Sequence, residues 1–135
     1  MIDSAIDTHI RKDPYTGFLG AKVETIELGY CRVSLMITES MVNFHGLTHG
    51  GIVFGLGDIA LAAASNSHGQ TAVAINASIS FLRPTRPGDL LVAEAREAQL
   101  GGPTALYDIT VTEKNSAQLV AKCQATVYRK RESVV

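Results

Sequence analysis

Residues 43–66 read NFHGLTHGGIVFGLGDIALAAASN, and this stretch decides the fold. Its opening is polar and glycine-rich. Residues 52–64 are then apolar or glycine throughout, with Asp58 the only charge among them. The run predicts a helix from His49 to near Asn66, with His68-Gly69 supplying the stop. A helix apolar on every side belongs inside a core rather than on it. Asp58 is therefore expected as a carboxylate held near the middle of the protein. Burying an unpaired carboxylate is costly, and a fold that keeps one has a use for it.

On the N-terminal side, residues 4–12 carry a short helical pattern with Ala5, Ile6 and Ile10 together, and Asp13-Pro14-Tyr15-Thr16-Gly17 is expected to break it. Residues 21–28 and 31–38 read as a hairpin about Gly29-Tyr30, with Val33, Leu35 and Ile37 facing one way. Residues 39–48 read as a loop. After the helix, residues 72–81, 90–99, 104–112 and 119–128 read as strands. The first of them alternates Val73, Ile75, Ala77, Ile79 and Phe81. The basic run Arg129-Lys130-Arg131 is expected to be a solvated tail. Two strands, one apolar helix and four further strands give an α+β domain. Its curved antiparallel sheet of about five to six strands wraps around one long central helix. One domain spans residues 1–135. The far side of such a helix needs cover, and a second subunit would supply it.

The composition excludes several classes. With 135 residues and 46% hydrophobic content, the chain can build a real core and disorder is not expected. A formal net charge of -1 gives no footprint for nucleic acid. Cys31 and Cys123 sit in strand-like settings, as small buried hydrophobes do, and a reducing compartment suits them. The N-terminus carries Asp3, Asp7, Arg11, Lys12 and Asp13 and has no apolar signal-peptide core, and the run after Gly51 is too short for a membrane span. A cytoplasmic protein with no membrane partner is the expectation.

Gly50-Gly51 opens the helix, Asp58 lies two turns in, and Asn43 and His45 precede it. A helix N-terminus presents unpaired N–H groups and a partial positive charge. Glycine there lets a ligand oxygen approach the backbone, which suits an oxyanion. Asp58 could attack directly or activate water. Eight residues separate the two, about 12 Å at the helical rise, several times a hydrogen bond. If both act on one substrate, Gly50 comes from one subunit and Asp58 from its partner, with two such sites about a two-fold axis. The plain alternative is a satisfied core acid beside glycines that merely permit packing.

The pattern N-x-H-G-x-x-H-G-G, then F-x-L-x-D, S-N-x-x-G and F-x-R-P, resembles the PaaI-like branch of the hotdog-fold acyl-CoA thioesterases. Its elements are Asn43, His45, Gly46, His49, Gly50, Gly51, Phe54, Leu56, Asp58, Ser65, Asn66, Gly69, Phe81, Arg83 and Pro84. The resemblance implies hydrolysis of an acyl-CoA thioester to free acid and coenzyme A by a homodimer, often paired into a homotetramer, without a cofactor. It implies Asp58 as the catalytic carboxylate and the Gly50 N–H as the oxyanion donor. Asn43 matches the residue that places the thioester or the water, and His49 the residue beside the oxyanion glycine. Gly51, His45, Asn66, Arg83 and Pro84 are the matching substrate-binding positions, with Arg83 and Arg86 candidates for the phosphates of coenzyme A. A small aroyl, phenylacetyl or medium-chain acyl group would be the substrate's acid part.

The chain departs from the family pattern in places. Gly57 stands where alanine usually precedes the acid, loosening the helix by up to about 1 kcal/mol. Ser80 fills a position that often carries Asp or Asn. A water-supporting serine of some members falls on Ala74, with Asn76 and Ser78 nearby. His45 and His49 are four apart, but no acid sits between them as in H-E-x-x-H and no third ligand is suggested, so no metal is expected. The competing readings are a non-catalytic acyl-CoA-binding hotdog protein and a hotdog hydratase or dehydratase.

Overall fold

Alternation in the second half of the chain produces four long strands, and the apolar run between the halves produces one long helix. The computed structural model describes residues 2–135. In chain order the elements are α1 (Ser4–Arg11), α2 (Pro14–Leu19), β1 (Lys22–Glu27), β2 (Tyr30–Met36), α3 (Gly50–Asn66), β3 (Gln70–Phe81), β4 (Leu90–Gly101), β5 (Thr104–Glu113) and β6 (Leu119–Ser133). The strands form one antiparallel sheet in the order β1-β2-β4-β5-β6-β3. The chain leaves the sheet after β2, runs through α3 and re-enters at the far edge as β3. α3 therefore lies across the sheet, packed on β2, β4, β5 and β3. Val33, Leu35, Leu56, Ala60, Leu91, Ala93, Ile109 and Val127 meet in the core between them.

Four expectations change. Asp13-Pro14 does not end helical structure but starts a second helix. Asp13 Oδ2 accepts from the Thr16 amide at 3.0 Å, Pro14 takes the first helical position, and Gly20 closes the turn at φ 78°. Aspartate at the cap and proline next to it are helix-starting residues, because proline's missing N–H is not needed there. The basic run 129–131 is no tail. It continues β6 to Ser133, held by pairing with the start of β3 and by the Arg129 amide donating to Pro103 O at 2.7 Å.

The alternation of β3 does not keep to one face. The register shifts between Ala74 and Asn76, leaving Ile75 as a bulge. Opposed residues in an antiparallel pair share a face. Ala77, Ile79 and Phe81 oppose the buried Ala125, Cys123 and Ala121 and so point toward α3, whereas Val73 opposes the exposed Tyr128 on the outer face. Asn76, Ser78 and Ser80 oppose Thr126, Gln124 and Lys122, also outward.

Finally, Asp58 does not sit in the middle of the protomer: α3 is bare along one side, the side expected to need a second subunit's cover. Gly51, Phe54, Asp58 and Ala62 are exposed, and at 3.6 residues per turn they fall on one stripe. Asp58 is thus open to solvent in the protomer rather than sealed in its middle. The stripe runs between α2 on one side and β3 on the other. β3 is an edge strand whose Val73, Ile75 and Phe81 are 41%, 59% and 55% exposed. Among the described residues no helix is long and apolar enough to cross a membrane.

Candidate active site

The entrance of α3 is built by its own cap. His49 sits outside the helix in extended geometry, and its Nδ1 accepts the Gly51 amide at 3.0 Å. A side chain on Gly51 would crowd that ring, with its Cβ 3.3 Å from His49 Nδ1. Gly51 therefore serves the cap, and its N–H is occupied. The next amides, Ile52 and Val53, both donate to His49 O. The Gly50 amide has no internal acceptor among the described residues. A Cβ at that position would lie 3.4 Å from Phe81 Cζ.

The loop before the cap is fixed by Asn43. Its Oδ1 accepts the amides of His45 at 2.9 Å and Leu47 at 3.3 Å, and Gly46 turns the chain at φ 76°. The Thr48 amide donates to Thr85 O at 2.9 Å, and the two threonine hydroxyls meet at 2.7 Å. These bonds dock the turn after β3 against the helix entrance. The result is a hollow lined by Asn43, Gly50, Phe81, Arg83, Pro84 and Thr85. Four of the expected site residues are thus brought together, with His49 at their edge as the cap.

Asp58 occupies a different place. It lines a narrow cleft between α3 and the sheet, with Phe54, Gly57, Ala77, Ile79 and Cys123. Although the residue is exposed, the apolar walls strip water from its carboxylate, and this burial raises its pKa above the ordinary aspartate value. The negative charge of Asp13 adds to the rise. An acid whose ionised form is disfavoured in the folded state loses stability as pH climbs through the ordinary carboxylate range and beyond it to the raised native value. Asp58→Asn is therefore expected to raise Tm at neutral pH. The gain should shrink to nothing in acid, where the wild-type carboxyl is protonated in both states. Thermal melts across pH check this.

The remaining expected residues lie elsewhere. His45 is exposed at the loop tip, its ring 4.2 Å from that of Phe44. Asn66 is at the other end of α3, sixteen residues and about 24 Å from Gly50. There its Nδ2 donates to Ala62 O and Ala72 O at 2.9 and 3.1 Å, and its Oδ1 accepts the Ala72 amide at 2.9 Å. These bonds tie the helix end to β3. Asn66→Ala is expected to cost about 2 kcal/mol, read as a lowered urea midpoint. Arg129 donates to Gly102 O at 3.0 Å, and His68 pairs with Glu97 at 3.0 Å.

Two participants escaped the sequence reading. Cys123 forms part of the cleft beside Asp58, which only strand register reveals. The α2 segment flanks the stripe, with Tyr15 lying over Gly55 and Asp13 close enough to act on Asp58. The helix-starting signature of Asp13-Pro14 was the signal available for it.

The protomer thus presents a helix-entrance amide without an acceptor in one hollow and a carboxylate in another, both beside an open stripe and an edge strand. Comparison with known proteins bears on what such an arrangement does. The family model described as Thioesterase superfamily matches residues 45–120. A putative esterase of Archaeoglobus fulgidus is 40% identical over 133 residues, covering 98% of this chain and 85% of that protein. The acyl-coenzyme A thioesterase PaaI of Escherichia coli is 40% identical over 96 residues, 71% of this chain and 69% of that protein. The structure of the E. coli PaaI protein superposes with a TM-score of 0.91 at 32% identity, covering 96% of this chain and 93% of that one. A Streptococcus mutans protein solved bound to acetyl CoA superposes with a TM-score of 0.78 at 31% identity, covering 82% and 88%.

Proposed function

The chain belongs to the thioesterase superfamily, has its hotdog fold and is a thioester hydrolase; from that premise we propose that it hydrolyses a small aroyl-, phenylacetyl- or medium-chain acyl-CoA as a homodimer with shared sites. One observation carries the reading. Gly50 and Asp58 stand on one unbroken helix, eight residues apart and in separate hollows. A single thioester group reaches both only when a second protomer faces the first. The open stripe of α3 and the apolar edge of β3 are the surfaces such a partner would cover.

In this reading the thioester oxygen accepts the Gly50 N–H of the partner subunit, at the positive end of the partner's helix. The Asp58 carboxylate either attacks the acyl carbon or takes a proton from the water that does. The C–S bond then breaks, and coenzyme A leaves as a thiolate that needs no strong general acid. If Asp58 itself attacked, water hydrolyses the resulting anhydride and restores the carboxylate. Asn43 holds the loop that shapes the oxyanion hollow. Arg83 at its rim offers a charged fork to phosphate. Two dimers pairing into a tetramer would leave these parts unchanged.

The test is thiol release from a panel of acyl-CoAs, followed with a colorimetric thiol reagent. Release by the wild type supports the reading. Hydration of crotonyl-CoA without thiol release would replace it with a hydratase, and binding without either reaction with a sensor.

A further inference from the structure

The acid part of a thioester held at Asp58 needs room, and the cleft that Asp58 lines does not have it. With about 10 Å³ of free space, that cleft takes one water molecule at most. Room lies one turn further along α3. Between α3 and the α1–α2 segment is a cavity of about 360 Å³. Small-molecule sites usually hold about 300–1,000 Å³. Two residues connect this cavity with Asp58, which does not itself line it. Ala62 lines it and stands on the bare stripe, four residues or about 6 Å beyond Asp58. Asp13 lines it too, and the Asp13 charge reaches the Asp58 carboxyl. The cavity thus opens on the stripe beside the acid.

Its walls are mainly apolar. Ile59, Ala62 and Ala63 of α3 line it together with Ile10 of α1, Pro14 of α2 and Val23 of β1. Val23 opposes the fully buried Val33, which puts it on the face of the sheet that α3 covers. The polar groups inside are already engaged. The Thr16 hydroxyl donates to Asp13 Oδ2 at 2.7 Å and the Thr71 hydroxyl to Ser133 O at 3.2 Å. The Asn66 amide is spent on Ala62 and Ala72. His9, Lys12 and Asp13 are exposed residues, so the charges sit where solvent reaches them. What the cavity offers a ligand is therefore apolar surface. Its α3 wall belongs to the span that the thioesterase model matches, residues 45–120, whereas α1, α2 and β1 lie outside that span. The outer wall can vary without disturbing the residues proposed for the chemistry.

Resting on the thioesterase reading above, we propose that this cavity is the acyl subsite. It takes the uncharged, hydrophobic body of the acyl group while the thioester carbon is at Asp58, and Ile10 and Val23 set how much of that body fits.

The experiment measures kcat/KM for octanoyl-CoA and acetyl-CoA, the second of which is too short to enter the cavity. Ile10→Trp fills it from α1, and Val23→Phe fills it from β1, where an aromatic residue suits a strand. Each is expected to lower the octanoyl-to-acetyl ratio at least about ten-fold, the scale of a misfit in an apolar pocket. The loss should fall on KM rather than kcat, because the subsite holds ground state and transition state alike. Melting curves show which variants fold, and if Ile10→Trp does not, Val23→Phe decides alone. A lowered ratio in either folded variant supports the proposal. A ratio that moves in neither overturns it, and so does an equal loss on both substrates. A wild type that prefers succinyl-CoA to butyryl-CoA, which has the same number of acyl carbons, overturns the assignment of an uncharged group. If the wild type releases thiol from no acyl-CoA, the functional reading falls and this inference with it. If it releases thiol and only the ratio fails to move, the functional reading stands without this inference.

Discussion

Asp58→Asn is expected to lower kcat for thioester hydrolysis by about 10²–10⁴-fold, the range associated with losing a positioned acid–base group. The carboxamide is nearly the same size and can still accept a hydrogen bond, so the fold and the cleft persist. It has no charge with which to attack an acyl carbon or draw a proton from water. KM should change little, because the role proposed for Asp58 lies in the transition state rather than in holding the substrate. Steady-state kinetics on the best acyl-CoA of the panel give both numbers. The melting curve of the same variant serves as its control: at neutral pH the asparagine protein should be at least as stable as the wild type, since the replaced charge is held above its ordinary pKa by its apolar walls. A variant that lost activity together with stability would point to a structural acid. One that kept its rate would remove Asp58 from the chemistry.

The same burial shapes the pH profile of the wild type. Only the ionised form attacks or accepts a proton, so kcat/KM should rise with pH through the native pKa of Asp58. That limb should lie above the ordinary aspartate range.

Much of this was visible in the linear chain, for physical reasons that differ by element. The long apolar run with one acid could only be a helix facing a sheet, and the strands after it alternate strongly enough to be placed. The position of the helix entrance was legible from the glycines before the apolar run, but that Gly51 makes room for the His49 cap rather than for a ligand came only with the hydrogen bonds. The bulge at Ile75 was not, since an inserted residue leaves the hydrophobic pattern intact while reversing which face it serves. Nor was the strand character of 129–133, because exposed basic side chains look alike on coil and on an outer strand. Proline at 14 misled because a breaker inside a helix is a starter at its first turn. The open stripe on α3 illustrates a deeper limit. An apolar helix surface has the same composition whether its cover comes from its own chain or from another. Asn66 belongs with these: it matches a motif, yet its hydrogen bonds are those of a fastener between α3 and β3.

Gly50→Pro removes the proposed oxyanion donor without removing the helix. Position 50 is the first residue of α3, where proline is favoured. His49 before it already has φ -62° and ψ 137°, the extended geometry a following proline requires. The ring's Cβ would meet Phe81 at ordinary contact distance. The variant should therefore fold and lose about 10²–10³-fold in kcat, the scale of one oxyanion donor. Its greater use is in combination. Asp58→Asn and Gly50→Pro are each expected to be nearly inactive alone. Mix them in equal amounts, unfold them together and refold them, and half the dimers pair one of each. If the site is shared, every mixed dimer holds one site with both defects and one with neither, so activity should return to about a quarter of the wild-type value. If each protomer carried a complete site of its own, every site would retain one defect and mixing would restore nothing. Recovery at that level ties the catalytic unit to the length of α3, because a helix that holds the two groups about 12 Å apart leaves no other way for one thioester to meet both.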